Sequence, residues 1–275
     1  AGRMTLMEKL SWHNEVRKIA DLIPHPEKPR QATDKESSDL DASLDRFDVV
    51  AASEAEAAPV LATVSRMPIA ATLLAQLLRL GDGLGLHDAL VAESLVYSTL
   101  QAGPEFTAWR QANPPRERAA ASSGPAVLVD RSDDRLLLVL NRPERHNAFS
   151  VEMRDALAEA LYVAASDASI VEIHLKGAGA SFSSGGDLAE FGTLPDPATA
   201  HLIRSTRNVP RLLAACAERV HVVVQGACVG AGAELPAFAR HVVASADAYF
   251  QLPELAMGLV PGAGGTVSLP YRIGR

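Results

Sequence analysis

Arg219–Glu234 reads RVHVVVQGACVGAGAE: a β-branched apolar run that ends in glycines and small residues and then opens into a helix bearing Glu234. β-Branched residues fit the half-buried face of a strand, and the glycines end it in a tight turn. An earlier stretch repeats the grammar, with IVEIHLKG at 170–177 running into GAGASFSSGGD at 177–187. Upstream, AVLVDR and RLLLVLN form an expected hairpin pair, followed by a helix over about Val151 to Asp167 with Ser150 as its cap. A long helical stretch is expected from Asp196 to Glu218. Repeated strand-then-helix units ending in glycine turns give a mostly parallel α/β architecture, with sites at the carboxyl ends of strands.

The turns matter because the first amides of a helix have no intrahelical acceptor and can donate to a developing oxyanion. Glycine and alanine let a ligand come close to those amides. The glycine order does not match G-x-G-x-x-G with an acidic residue on the next strand, and no G-x-x-x-x-G-K-[ST] occurs, which argues against a nucleotide site.

The chain before Pro125 is different. From Ala51 to about Ala121, LLAQLLRL, HDALVAESLVYSTL and PEFTAWRQA place apolar residues three and four apart, as amphipathic helices do. Glu93, His87 and Tyr97 read there as surface or packing residues, and the block as one for interaction or assembly. NPPRERAAASSGP at 113–125 reads as a linker, with a boundary near Ser123. Residues 1–49 are charge-rich, with a proline-broken stretch and then one expected helix in DKESSDLDASLDRF. The expected organisation is therefore 1–49 of unassigned role, 50–124 as helical extension and linker, and 125–275 as the core.

A net charge of −7 gives no broad electrostatic attraction to nucleic acid, so an anionic ligand must be held locally. No apolar run approaches the ~20 residues of a membrane span. Only Cys216 and Cys228 occur, without metal-ligand spacing or a disulfide framework, and the first residues lack the apolar core of a secretory signal. A reduced, cytoplasmic protein without metal is expected.

Four motifs appear in order, each after a strand: NRPERHNAF, SFSSGGDLAEF, VQGACVGAGAELPAFAR and FQLPELAMGLVPGAGGT. Together they resemble the crotonase superfamily, the enoyl-CoA hydratase/isomerase group, over residues 125 to 275. The resemblance implies a crotonase-like spiral of ββα units, here preceded by an α-helical N-terminal extension. It implies that the Gly186 and Ala231 amides grip a thioester carbonyl, and that Glu234 and Glu254 are the acid/base pair. Ala231 stands where the family commonly has glycine, which the use of a backbone amide tolerates. Arg145, His146, Ser184, Gly185, Asp187 and Leu188 fall in the stretches implied to run beside coenzyme A, with Asp187 read as a cap on a short helix and Cys228 as packing. No cofactor is implied beyond the coenzyme A moiety of the substrate. In residues 18–47, IADLIPHPEKPR resembles the opening of the ParB-like N-terminal domain, without the arginine-bearing motif that follows there.

The activity so implied is hydration of a 2-enoyl-CoA. An enoyl-CoA isomerase, a cofactor-free dioxygenase of the same superfamily and a non-catalytic acyl-CoA-binding scaffold are the alternatives; Glu234 argues against the dioxygenase, which carries an amide at the matching place. The family core is followed by further helices that cover the acyl pocket, whereas this chain stops at PYRIGR, so that C-terminal region is expected to be missing. Apolar residues near Leu259, Val260 and Leu269 then need cover from the N-terminal helices or from neighbouring subunits of a trimer or hexamer.

Overall fold

The structure is a computed structural model that describes residues 51–115 and 123–273. The ParB-like stretch lies outside the described residues. By contacts the chain divides after Ala52, and Ser53–Arg275 is one compact unit. Among the described residues four helices come first: α1 (Glu54–Arg66), α2 (Pro68–Gly81), α3 (Leu86–Gln101) and α4 (Pro104–Ala112). Ser53 caps α1 by accepting from Glu56 N–H, and the Glu105 carboxylate on α4 accepts from the Ile69 and Ala70 amides at the start of α2.

The expected hairpin forms, with β1 (Val127–Ser132) antiparallel to β2 (Arg135–Leu140). Then α5 (Val151–Ser166) starts on the Ser150 hydroxyl, which accepts from Met153 N–H. Strand β3 (Glu172–Gly177) lies parallel to β2, β4 (Val220–Val224) parallel to β3, and β6 (His241–Ala244) parallel to β4, giving a sheet ordered β1-β2-β3-β4-β6. A second, two-stranded sheet pairs β5 (Ala227–Val229) in parallel with β7 (Tyr249–Gln251). One apolar layer packs Leu138, Leu140, Ile173, Leu175 and Val222 of the large sheet under Met153, Leu157 and Leu161 of α5.

Two helical expectations change. The stretch 196–218 is not one helix but α6 (Pro197–Thr206) and α7 (Val209–Ala215), followed by a 3-10 turn at Ala217–Arg219. Asn208 accepts from Arg211 N–H as a new N-cap, and Pro210 in the first turn has no N–H with which to continue the helix before it. The helix bearing Glu234, α8 (Ala231–Glu234), is a single turn, because Pro236 follows. Its amides therefore act as local donors rather than through a long helix dipole. The final helix, α9 (Gly265–Ile273), closes the described chain.

A second apolar cluster joins the block and the core: Ala70, Leu77, Tyr97, Leu100 and Phe106 pack with Met257, Leu259 and Val260. Leu259 and Val260 are fully buried, so the cover expected for them comes from the helices of this same chain. Truncating a buried leucine here removes packing on both sides, and Leu259→Ala should cost ~2–5 kcal/mol in urea unfolding. A loss no larger than that of a surface substitution would mean that α2–α4 do not rest on the core.

Candidate active site

The site grows from two adjoining strand ends. After β3 the chain turns through Ser181–Gly186, and after β5 it turns through Gly230 into α8. These turns lie side by side: Ser183 N–H donates to Ala227 O, Val229 N–H donates to Ser183 O, and a Cβ on Gly185 would stand 2.8 Å from Val229 O. Asn147, fully buried, ties NRPERHNAF to the first turn by donating from Nδ2 to Ala178 O and Ser181 O while its Oδ1 accepts from Arg142 N–H. Ser183 Oγ donates to Asn147 O and accepts from Gly185 N–H. The next amide, that of Gly186, has no acceptor among the described residues; nor has that of Ala231, the first residue of α8. Two donors without a protein acceptor among the described residues thus stand at adjacent strand ends.

Gly230 makes the second turn possible. Its φ of +50° is in the left-handed region, and a Cβ there would stand 2.6 Å from Glu254 Oε1. Glu254 opens a 3-10 turn (Glu254–Met257), and its Oε2 is buried with no hydrogen-bond partner among the described residues. A buried carboxylate oxygen left without a donor is costly unless a ligand or water completes it.

Glu234 is 2% exposed, and its Oε2 accepts from the Ala263 and Gly265 amides, each at 2.8 Å. Glu93 is expected from the sequence as a surface or packing residue. Instead it is 2% exposed beside the same turn: Oε1 accepts from Gly264 N–H at 2.7 Å, and Oε2 from Thr266 N–H at 2.9 Å and Thr266 Oγ1 at 2.6 Å. The available signal was its place on the apolar stripe of α3, between Leu90 and Tyr97. A carboxylate on a buried stripe needs donors, and those lie 171 residues away in sequence, beyond the reach of local pattern. Tyr97 is a buried packing residue as expected, with the Arg204 guanidinium 4.9 Å from its ring centre, and His87 is exposed. Arg204 also donates to Ser94 and Ser98, fixing α6 on α3.

Burial pushes all three carboxyls up, Glu93 and Glu254 to about 7 and Glu234 well above the ordinary range. For Glu234 the neighbouring charges of Glu254 and then Glu93 add to burial, while its two amide donors pull the other way.

The residues implied to flank coenzyme A separate. His146 and Ser184 line a cavity of about 420 Å3 with Ser181, Val229, Asp247 and Tyr249. His146 Nδ1 lies 3.0 Å from Ser181 Oγ. Arg145 ends a 3-10 turn (Pro143–Arg145) just before it. Gly185 is buried within the turn, and Leu188 is 47% exposed. Asp187 caps a turn rather than a helix: its Oδ1 accepts from Ala189 N–H, and no helix follows. Cys228 is fully buried, as its packing role requires. Among the described residues no cluster of histidine, cysteine or carboxylate side chains is suited to a metal ion.

The mostly parallel sheet, opened by an antiparallel pair and joined by a second two-stranded sheet, is of the crotonase type. The sequence model of the enoyl-CoA hydratase/isomerase family matches residues 135–275, just over half of the chain, and the chain belongs to that family. It is similar to the 2,3-dehydroadipyl-CoA hydratase of Escherichia coli K12, with 37% identity over 152 residues, covering 54% of this chain and 58% of that protein. It is similar to the 1,2-epoxyphenylacetyl-CoA isomerase of the same strain, with 37% identity over 144 residues, covering 51% and 55%. Among solved structures, the enoyl-CoA hydratase of Thermoplasma volcanium GSS1 aligns with a TM-score of 0.50 at 33% identity, over 55% of this chain and 61% of that one. The chain thus spans less than two thirds of the length of these relatives.

The raised carboxyls make stability depend on pH with a definite sign. A folded-state carboxyl pKa above the unfolded one means that the folded protein holds more protons, so stability is full below the unfolded value near 4.5 and is lost as pH rises through about 7. Asp167, held near 2 by Ser169 and Arg131, acts in the opposite sense but below this window. Urea midpoints should therefore fall between pH 4.5 and about 7, and Glu93→Gln should flatten the fall. A midpoint rising across that window would contradict the burial of these groups.

Proposed function

We propose that this chain acts on a 2-enoyl-CoA thioester and adds water across its double bond. The observation that carries the reading is the pairing of two amides without an acceptor among the described residues, at Gly186 and Ala231, with the buried carboxyl of Glu234 and the part-buried Glu254, whose Oε2 has no donor among those residues. In the proposed step the amides hold the thioester oxygen. An ionised carboxylate takes a proton from water as the water oxygen bonds to C3, and the C2–C3 π electrons pass into an enolate. A protonated carboxyl then delivers its proton to C2, which regenerates the thioester. Raised pKa values suit this division, since one carboxyl can stay protonated near neutral pH while its neighbour ionises. The names of the relatives, a hydratase and an isomerase acting on acyl-CoA compounds, support the substrate class.

The coenzyme A part is proposed to lie along the turns bearing His146, Ser184 and Gly185, with Arg145, Asp187 and Leu188 flanking them, and no further cofactor is proposed. Isomerase chemistry would use one carboxyl to carry a proton between C2 and C4. Assembly as a trimer or hexamer belongs to the same reading and is read by light scattering.

With crotonyl-CoA as the probe, loss of the enoyl-thioester absorbance measures turnover. Glu234→Gln and Glu254→Gln should each lower kcat by at least ~10²-fold while binding of the acyl-CoA stays nearly intact. Wild-type turnover in either variant would defeat the two-carboxyl hydratase, and dependence on Glu254 alone would point to isomerisation. Removing the amide is a sharper test of the oxyanion site. Ala231 is the first residue of its helix, where proline is accommodated, so Ala231→Pro should fold yet lose ~10²–10³-fold in kcat. A folded Ala231→Pro with undiminished kcat would remove that amide from the mechanism.

A further inference from the structure

The four amides of Ala263, Gly264, Gly265 and Thr266 go alternately to two side chains. Ala263 and Gly265 donate to Glu234, and Gly264 and Thr266 donate to Glu93. The turn is thereby held between a carboxylate of the core and a carboxylate of the helical extension, both 2% exposed. We infer that Glu93 is a positioning residue for Glu234: by holding the opposite amides of this turn and placing a carboxylate beside it, Glu93 fixes where Glu234 points and whether it carries its proton. The inference rests on the acid/base role proposed for Glu234.

The geometry leaves Glu234 little freedom of its own. Its Oε2 is fixed by two amides that belong to the turn, not to α8, so the carboxyl follows the turn. On one side the turn abuts Glu234 itself, since a Cβ on Gly265 would stand 2.7 Å from Glu234 Cγ. On the other side it rests on α3, where a Cβ on Gly262 would stand 2.5 Å from the Tyr97 ring. Without the Glu93 acceptors, two amides and the Thr266 hydroxyl lose their partners in a buried place, and the turn must shift to find others. Any such shift carries the Ala263 and Gly265 donors away from Glu234.

Charge works through the same contact. The groups facing Glu93 are Glu234 on α8, Glu254 on its 3-10 turn, Thr266 at the start of α9, Arg204 on α6 and Tyr97 on its own helix. An ionised Glu93 disfavours a second charge on Glu234 and on Glu254, while Arg204 favours the charge on Glu93. The helical extension therefore reaches into the acid/base machinery and is more than a cover for the apolar face.

Two readouts test this. The first is the titration of the Glu234 carboxyl, followed by carbon NMR in protein labelled at glutamate, which needs no turnover. The second is the pH profile of kcat with crotonyl-CoA. In Glu93→Gln, whose amide oxygen still accepts from the turn and keeps its donors on Glu234, the Glu234 titration should move to lower pH by on the order of one unit, because a neighbouring negative charge is gone. The corresponding limb of the kcat profile should move with it, kcat should fall about tenfold, and KM should change little. Thr266→Val, which removes only the hydroxyl donor to Glu93 and so favours its neutral form, should shift the titration the same way by less. It also keeps the test alive if Glu93→Gln does not fold. An unchanged Glu234 titration and kcat profile in either folded variant, whatever its thermal stability, would overturn the inference even if crotonyl-CoA is hydrated. A shifted titration in a protein that turns over no enoyl-CoA would leave the positioning intact and overturn the hydratase reading instead.

Discussion

Three carboxyl groups share one buried region, and the account turns on how the chain makes that tolerable. A buried carboxylate must find donors or hold its proton, and here both solutions operate. Glu234 and Glu93 divide the amides of one glycine-rich turn between them, while Glu254 keeps an oxygen without a partner. The turn is built of glycine, alanine and threonine because a larger residue at Gly265 would meet Glu234. Since one of the two acceptors lies on α3, the turn has its observed shape only when the helical extension is folded onto the core.

The two acceptor-free amides follow from a different arrangement of hydrogen bonds. Ser183 satisfies Gly185 N–H and Asn147 O together, which leaves the Gly186 amide at the end of the turn with no acceptor among the described residues. Gly230, with its positive φ, turns the chain so that Ala231 begins a helix with its amide free. Neither donor depends on the identity of its own side chain, so alanine can stand at 231.

Much of this was legible in the sequence, for physical reasons. Strands β3 and β4 announced themselves because β-branched runs end in glycine turns, whereas β5 lies in the stretch ACVGAGAE that reads as a turn. The four motifs placed Glu234, Glu254, Gly186 and Ala231 near one another through a family resemblance, not through spacing. Local pattern failed where the cause was non-local. It joined α6 to α7 because it weighed apolar period above Pro210 and the Asn208 cap. It set Glu93 aside because the donors for that carboxylate come from a turn at the other end of the chain. The clue that remained was chemical: a glutamate on the apolar stripe of α3, with Ser94 and Ser98 buried beside it, is a cost that something distant must offset.

The central claim is that one turn is clamped from two sides, by the core and by the extension. Hydrogen exchange of the individual amides of Ala263, Gly264, Gly265 and Thr266, followed by NMR, tests it most directly. All four should exchange slowly, with protection comparable to amides inside β3, because each donates to a buried carboxylate. Rapid exchange at Gly264 and Thr266 beside slow exchange at Ala263 and Gly265 would contradict the account, since it would mean that Glu234 holds the turn without Glu93.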